Sequence, residues 1–173
     1  MKEGREADPS AGVIDARSVR GAATVGTATR GYDAGKKVNG RKVFGVVDTL
    51  GLLVAVVTLT ASTSDNVGGA AAMERAKPKS SRLAAVFCDG GFKKAFAEAC
   101  KGLNIAVEVV NRIASGRFEV LPRRWVVERT WSWLMNNRRL QVDYERDPKA
   151  SEGFVWAAHS RLLMRRLTCE APR

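Results

Sequence analysis

Glu128 lies in a stretch of the sequence that combines tryptophan with arginine. The apolar residues Val127, Trp131 and Leu134 recur at helical spacing, which predicts a helix with one buried face and Glu128 at its edge. A carboxylate at the margin of a core, beside arginine, can hold a divalent cation against a phosphate group. The alternative is that Glu128 only forms a solvent-exposed ion pair with Arg124, one turn earlier, and the helix alone leaves both interpretations open.

Asp89 directly follows an apolar run that predicts a buried strand. Two glycines, Gly90 and Gly91, come next, and glycine lets the backbone and a ligand approach one another closely. This position favours a functional role for Asp89. Asp15, by contrast, interrupts the short apolar run 12–19, and a lone acid in a strand usually faces the solvent.

The elements that must position these acids follow from apolar patterns and from turn and capping residues. Strands are predicted over residues 12–19, 43–47, 52–60, 83–88 and 105–110. Helices are predicted over residues 65–76, 93–103, 122–142 and 151–167, the last one capped by Ser151 with Glu152 in its first turn. Asp48, between the second and third strands, is better explained by a turn than by metal binding. Two acids on strands and a third on a later helix suit an α/β fold with a ribonuclease H-like mixed sheet flanked by helices.

The length of 173 residues suits one domain. The charged residues 1–11 predict a flexible lead-in, residues 12–168 the domain, and residues 169–173 a tail. The N-terminus lacks the apolar segment of a signal peptide, and the longest apolar run, residues 50–59, falls short of the roughly 20 residues of a membrane span. Three cysteines without a Cys-x-x-Cys pair argue against a disulfide framework and a structural zinc site. We therefore expect a cytoplasmic protein.

The basic balance of the chain indicates a polyanionic partner. Lys and Arg number 29 against 18 Asp and Glu, which gives a net charge of +11. Nucleic acid or an acidic membrane surface would satisfy this charge, and the predominance of Arg with interleaved Trp weakens the alternative of a merely soluble basic face. The candidate contacts to DNA phosphates are Lys36, Lys37, Arg41, Lys42, Arg123, Arg124, Arg138 and Arg139. For the first four of these residues, a solvated turn without a phosphate is the alternative.

Several blocks of the sequence resemble the Asp-Asp-Glu transposases of bacterial insertion sequences, in the group named for insertion sequence five. The blocks are residues 13–19, 30–42, 47–53, 89–92 and 121–130, and the similarity runs from about Gly4 to Leu167. The resemblance implies that Asp15, Asp89 and Glu128 are a catalytic triad and that Arg124 is a partner of the site. It also implies that the chain is the catalytic portion without the upstream region that binds transposon ends in this family.

The activity implied is DNA transposition, in which a transposon end is cut and its 3′-hydroxyl is joined to target DNA. A phosphodiester is an anion, so its attack requires neutralised charge on both sides of the phosphorus, which two Mg²⁺ ions about 3.5 to 4 Å apart can supply. Oxygen ligands suit Mg²⁺, and Mn²⁺ can substitute for it. We expect Asp15 to bridge the two ions, with Asp89 and Glu128 each completing one side.

The expected partners are double-stranded DNA and either a second copy of the chain or a transposase segment from an upstream reading frame. The alternative function is a catalytically inactive transposase remnant that acts only as a basic DNA-binding module. Such a module would bind DNA without regard to divalent metal.

Overall fold

The computed structural model describes residues 6–110 and 124–168. Within these ranges the strands are β1 (Ala11–Gly21), β2 (Gly31–Asp33), β3 (Val38–Asp48), β4 (Leu53–Thr60), β5 (Ala85–Cys88), β6 (Ala106–Val109) and β7 (Val142–Asp143). The helices are α1 (Asp65–Ala76), α2 (Lys94–Gly102), α3 (Trp125–Met135) and α4 (Pro148–Thr168). Short 3₁₀ turns occupy Thr27–Thr29, Lys77–Lys79 and Arg138–Leu140.

The described strands form one mixed sheet in the order β2-β3-β1-β5-β6, with β4 paired to β3 and β7 paired to β1. β5 runs parallel to β1 and to β6, whereas β2 is antiparallel to β3. The predicted class, a mixed α/β sheet with helices, is confirmed. Residues 43–47 of β3 are all buried, which explains their continuous apolar sequence, because a strand covered on both faces has no solvent side.

The described residues fall into two compact units. The first contains residues of 1–17, 44–57 and 64–130, and the second contains residues of 18–43, 58–63 and 131–173. The core of the first unit consists largely of aliphatic and phenylalanine side chains, among them Val13, Ile14, Phe44, Phe87 and Phe96. The core of the second unit includes Val19, Val25, Leu140 and Val155.

Helix α1 begins as its sequence predicts, and a glycine lets it pack closely against β3. The Ser64 hydroxyl accepts a hydrogen bond from the backbone N–H of Val67 and caps the helix. A Cβ atom at Gly68 would come within 2.1 Å of the Phe44 ring. Only glycine therefore allows α1 to lie this close to β3 in the first unit.

The turn between β3 and β4 also agrees with the sequence. The Asp48 carboxylate accepts hydrogen bonds from the backbone N–H groups of Leu50 and Leu52, at 2.8 and 2.7 Å. Gly51 adopts a φ of +84°, a conformation that glycine reaches without steric cost. The interpretation of Asp48 as a turn residue rather than a metal ligand is consistent with this geometry.

Two predicted helix boundaries are wrong. Helix α3 ends at Met135. The side-chain amide of Asn137 donates a hydrogen bond to the Leu134 carbonyl, so a side chain satisfies a carbonyl at the end of the helix. Helix α4 begins at Pro148, three residues before the predicted start at Ser151. The Asp147 carboxylate accepts a hydrogen bond from the backbone N–H of Lys149 at this end of the helix. Proline suits a first helical turn because its missing N–H would have no helical partner there.

The lead-in prediction does not hold for Asp8. Its carboxylate accepts hydrogen bonds from the hydroxyls of Ser80 and Ser81 and from the backbone N–H of Arg82. Ser10 continues this attachment, since its carbonyl accepts from the backbone N–H of Ala84. No described helix is both long enough and apolar enough to span a membrane.

Candidate active site

The register of the sheet relates Asp15 to Asp89. Val13 of β1 pairs with Phe87 of β5 in the parallel ladder, an offset of 74 residues. Asp15 and Asp89 are separated by the same offset, two positions beyond that pair. Residues at equivalent positions on neighbouring parallel strands project to the same side of a sheet. The ladder itself ends at Val13 and Phe87, and Asp89 is the first residue after β5, so the shared offset brings Asp15 and Asp89 to the same end of this strand pair.

A tight turn follows Asp89 and orients its carboxylate. The backbone N–H of Gly91 donates to Asp89 Oδ1 at 2.8 Å, and the N–H of Phe92 donates to the Asp89 carbonyl at 3.2 Å. A Cβ atom at Gly91 would lie 2.9 Å from Asp89 Oδ1 and also 2.9 Å from Oδ2 of Asp65. Two carboxylates therefore flank Gly91, and the absence of a side chain there lets both approach the turn.

Asp65 is a residue of this site that the sequence reasoning missed. Its place directly after the cap residue Ser64 indicates only a favourable acid in the first turn of α1. The signal that could have revealed it is the Gly90-Gly91 pair, since a glycine in such a position often marks a place where another group approaches the backbone closely. The identity of that neighbour requires the tertiary structure.

Helix α3 is held in place through the turn between β3 and β4. The Thr130 hydroxyl donates to the Gly51 carbonyl at 2.9 Å, and the Arg129 guanidinium donates to the Leu50 carbonyl at 3.0 Å. The predicted apolar face of α3 is buried, with Val127 1% exposed. Glu128, one residue further round the helix, keeps 51% of its side chain exposed. The buried face therefore fixes a carboxylate at its solvent edge.

One nitrogen of Arg124 lies close to the carboxylates of both Asp89 and Glu128. Its Nη2 atom lies 3.0 Å from Glu128 Oε1 and 3.8 Å from Asp89 Oδ2. The simple exposed ion pair between Arg124 and Glu128 is thus present, but the same nitrogen also faces Asp89. The Arg124 side chain is only 13% exposed. Its charge consequently neutralises two carboxylates that would otherwise repel one another.

The donor set suits a magnesium ion, although the side chains as placed do not enclose one. Asp15, Asp89 and Glu128 offer only carboxylate oxygens, the ligands that Mg²⁺ prefers. Arg124 already places a cationic group between two of them, so the site accommodates positive charge at this point. Over residues 6–110 and 124–168, however, no three acidic, histidine or cysteine side chains are grouped closely enough to hold a metal ion.

Cysteine chemistry is excluded beside Asp89. Burial raises the pKa of the Cys88 thiol to about 12, and the negative charge of Asp89 adds to this increase. Burial likewise raises the pKa of Cys100 to about 11. Both side chains stay neutral thiols at physiological pH, so neither supplies a thiolate nucleophile or metal ligand.

The prediction that Arg41 holds a DNA phosphate is wrong. Its side chain is fully buried in the second unit, where it donates to the carboxylate of Asp143 at 3.1 Å and to the hydroxyl of Ser151 at 3.0 Å. The remaining donors bond to the Thr29 carbonyl and hydroxyl and to the carbonyls of residues 145 and 146. Every guanidinium N–H thus has an internal acceptor, and none is left for a phosphate.

Ser151 and Glu152 also have a different role from the predicted helix cap. Both are buried within α4. The Ser151 hydroxyl bonds to Asp143, and the Glu152 carboxylate accepts a hydrogen bond from the backbone N–H of Thr58 at 2.8 Å. These polar groups join α4 to β7 and β4 in the second unit.

Lys42 is likewise used inside the protein. Its ammonium group donates to the Thr63 carbonyl at 2.9 Å and lies 3.6 Å from the Asp33 carboxylate, with 10% of its side chain exposed. Burial opposes the ionisation of Asp33, but hydrogen bonds from the Ser18 hydroxyl and the Lys36 N–H, together with the Lys42 charge, keep its pKa below the ordinary value. The prediction that Lys42 contacts a DNA phosphate is therefore also wrong.

The other predicted DNA contacts have mixed surroundings. Lys36 and Lys37 lie exposed in the turn after β2, and Arg138 is exposed after α3. Arg139 is half exposed but pairs with the Glu145 carboxylate at 2.8 Å. Arg123 lies outside the described residues. The role of these cations in DNA binding stays a prediction.

Comparison with known proteins decides the family. Residues 6–163 match the family model of the transposase DDE domain. This chain belongs to that family. As a DDE transposase domain it is an enzyme of DNA transposition, which cleaves DNA strands and transfers them to new sites. No curated protein matches the chain significantly.

Solved structures agree with the DDE transposase fold. A chain of the simian T-cell lymphotropic virus intasome in complex with the PP2A regulatory subunit B56 gamma is 17% identical, with a TM-score of 0.56, over 88% of this chain and 49% of that chain. The HTLV-2 integrase catalytic core domain, in its dimeric form in complex with magnesium, is 17% identical, with a TM-score of 0.51, over 88% of each chain. At this identity the likeness shows the ribonuclease H-like fold of the domain.

Proposed function

We propose that Asp15, Asp89 and Glu128 are the catalytic carboxylates of this transposase domain and that they act with two Mg²⁺ ions. The observation that carries this proposal is the convergence of Asp89 and Glu128 on one nitrogen of Arg124. The register that relates Asp15 to Asp89 supports the third member. The HTLV-2 integrase core, which has the same fold, was solved in complex with magnesium.

Each residue of the proposed site has a role set by its position in the fold. Asp15 from β1 and Asp89 from the turn after β5 would hold metal from the edge of the sheet, and Glu128 would hold it from α3. When bound, Mg²⁺ would activate the attacking hydroxyl and neutralise charge on the phosphate and the leaving oxygen. Arg124 keeps Asp89 and Glu128 together by screening their repulsion. Asp89 and Glu128 retain 35% and 51% side-chain exposure, so a DNA strand can reach them from solvent.

The substrate in this proposal is double-stranded DNA carrying the ends of a transposon. The chain would cut a phosphodiester at each end and join the liberated 3′-hydroxyl to a target duplex. The exposed cations Lys36, Lys37 and Arg138 would bind phosphates. A second copy of the chain, or a segment from an upstream frame, would pair the two ends. A DNA substrate agrees with the expected cytoplasmic location.

The decisive experiment compares two glutamates. Glu128→Gln removes the charge of the proposed ligand, and Glu98→Gln removes the charge of another exposed helical glutamate, on α2. The probe is a labelled duplex that carries the inverted repeats flanking the gene, incubated with Mg²⁺ or Mn²⁺. We expect Glu128→Gln to reduce strand cleavage by about 10³-fold or more and Glu98→Gln to leave it unchanged. Full cleavage by Glu128→Gln would refute the assignment.

A second candidate function is a DNA-binding module without catalysis. The observation in its favour is that no three metal-ligating side chains are grouped together in the described parts of the chain. Titration of the wild-type protein with Mg²⁺ or Mn²⁺ in a calorimeter separates the two candidates. A live site binds two ions and loses this signal in Glu128→Gln. The module binds none, and its affinity for DNA is the same with EDTA as with Mg²⁺.

A further inference from the structure

A small cleft lies between the end of α3 and helix α4 in the second unit. Trp133, Asn136 and Asn137 form one side, and Arg161 and Arg165 form the other. The apolar side chains between the arginines are Ala158 and Leu162. The cleft has a volume of about 150 Å³. This is far less than the volume of the clefts that hold cofactors or drug-sized ligands.

The groups that line the cleft are hydrogen-bond donors suited to an anion. Arg161 and Arg165 are one helical turn apart, so their side chains project from the same face of α4. Both are exposed. The Arg161 guanidinium donates to the Asn137 side-chain carbonyl at 3.2 Å, which holds it against the cleft. Asn136, also exposed, offers a further amide.

The positive charge of this face is not balanced within the described structure. None of the three arginines of this face forms an ion pair with an acid in the described parts of the chain. They are Arg161, Arg165 and Arg166. Glu152, the only acid within helix α4, is buried and bonded to the backbone of Thr58. Arginines that repel each other along one face lower their energy when a polyanion supplies the missing charge.

Trp133 supplies the second feature of nucleic-acid surfaces, an aromatic ring among arginines. The Arg166 guanidinium stacks over the Trp133 indole, 4.4 Å from its centroid. This stacking holds one more cation at the rim of the cleft and fixes the ring as a flat wall.

We propose that this cleft binds one backbone phosphate of DNA, with Arg161 and Arg165 as the donors to its oxygens. The cleft is a DNA contact apart from the proposed acids, and all of its residues belong to the second unit. The choice of DNA as the polyanion rests on the proposed function. The guanidinium fork matches two phosphate oxygens, which suits arginine to a backbone phosphate.

The test measures binding of a short labelled duplex of random sequence, in EDTA, over about 50 to 200 mM salt. The double variant R161Q/R165Q should bind about tenfold more weakly, and its plot of log affinity against log salt should be shallower by about one. N136D, an isosteric change that places a carboxylate at the cleft, should weaken binding in the same direction. The control is K101Q, which removes a cation from the last turn of α2 as R165Q does from α4.

The outcomes separate this inference from the proposed catalysis, because EDTA removes any metal-dependent step. A wild-type protein that does not cleave DNA, with R161Q/R165Q still impaired in binding, would refute the catalytic proposal and leave the cleft assigned. A cleaving wild-type protein whose salt slope is the same in R161Q/R165Q and N136D would overturn the inference alone. Equal losses in K101Q and R161Q/R165Q would also overturn it, since they would show general attraction rather than a site.

Discussion

The guanidinium of Arg124 lies 3.8 Å from the carboxylate of Asp89, which belongs to a different element of the fold. The same nitrogen lies 3.0 Å from Glu128 on its own helix. One cation thus ties the loop after β5 to α3. Arg124 therefore offsets the repulsion between the two carboxylates.

This relationship predicts that Arg124 matters more for cleavage than for stability. Arg124→Gln should lower metal-dependent strand cleavage by about tenfold or more, because Asp89 and Glu128 would then repel and separate. The free energy of unfolding in urea should change by less than about 1 kcal/mol, since Glu128 is half exposed. Arg124→Lys, which keeps the charge, should recover part of the cleavage. Wild-type cleavage by Arg124→Gln would contradict this role.

Gly91 should matter for catalysis because a side chain there would displace one or both of the neighbouring carboxylates. A Cβ atom there would approach oxygens of both Asp65 and Asp89 to 2.9 Å, closer than ordinary contacts. We expect Gly91→Ala to displace Asp89 and to reduce cleavage while the protein stays folded by circular dichroism. Gly102→Ala is the matched control, because its Cβ would meet nothing within 4 Å. If both variants cleave DNA equally well, the turn does not position Asp89.

Arg41 should contribute to stability and not to DNA binding. Arg41→Met would leave the buried Asp143 carboxylate without its cation, which should cost about 3 to 5 kcal/mol in the free energy of unfolding. Arg139→Met removes a half-exposed arginine from Glu145 and should cost at most about 1 kcal/mol. Urea denaturation measures both. The affinity of the folded Arg41→Met fraction for DNA should equal that of wild type, and a large loss would restore Arg41 as a phosphate contact.

Cys88 and Cys100 should resist alkylation in the native protein. With a pKa of about 12, only about one Cys88 thiol in ten thousand is ionised at pH 8, and burial blocks access to it. Iodoacetamide labelling followed by peptide mass spectrometry should find both residues unmodified until urea is added. Rapid native labelling of Cys88 would show that the strand before Asp89 opens, and raising the pH should increase labelling only where the thiol is accessible.

Local patterns determined much of the fold. The apolar face of α3, the cap of α1 at Ser64 and the turn at Asp48 and Gly51 were all readable from spacing and residue type. Each of these depends on neighbours within a few positions, where backbone geometry sets the period. The sequence blocks around Asp15, Asp89 and Glu128 likewise indicated the family that the match over residues 6–163 shows.

Only the tertiary structure decided which partner each charge meets. Arg41 has the same residue type as an exposed phosphate contact, but its carboxylate partner, Asp143, is far along the chain. Asp65 has the appearance of a helix-capping acid until Gly91 brings it beside Asp89. A buried charge takes its partner from whatever packing places within a few ångströms, and packing joins segments that no local period connects. The sequence by itself therefore determined the elements and the family, whereas the folded chain determined which cations stay inside and which acids share Arg124.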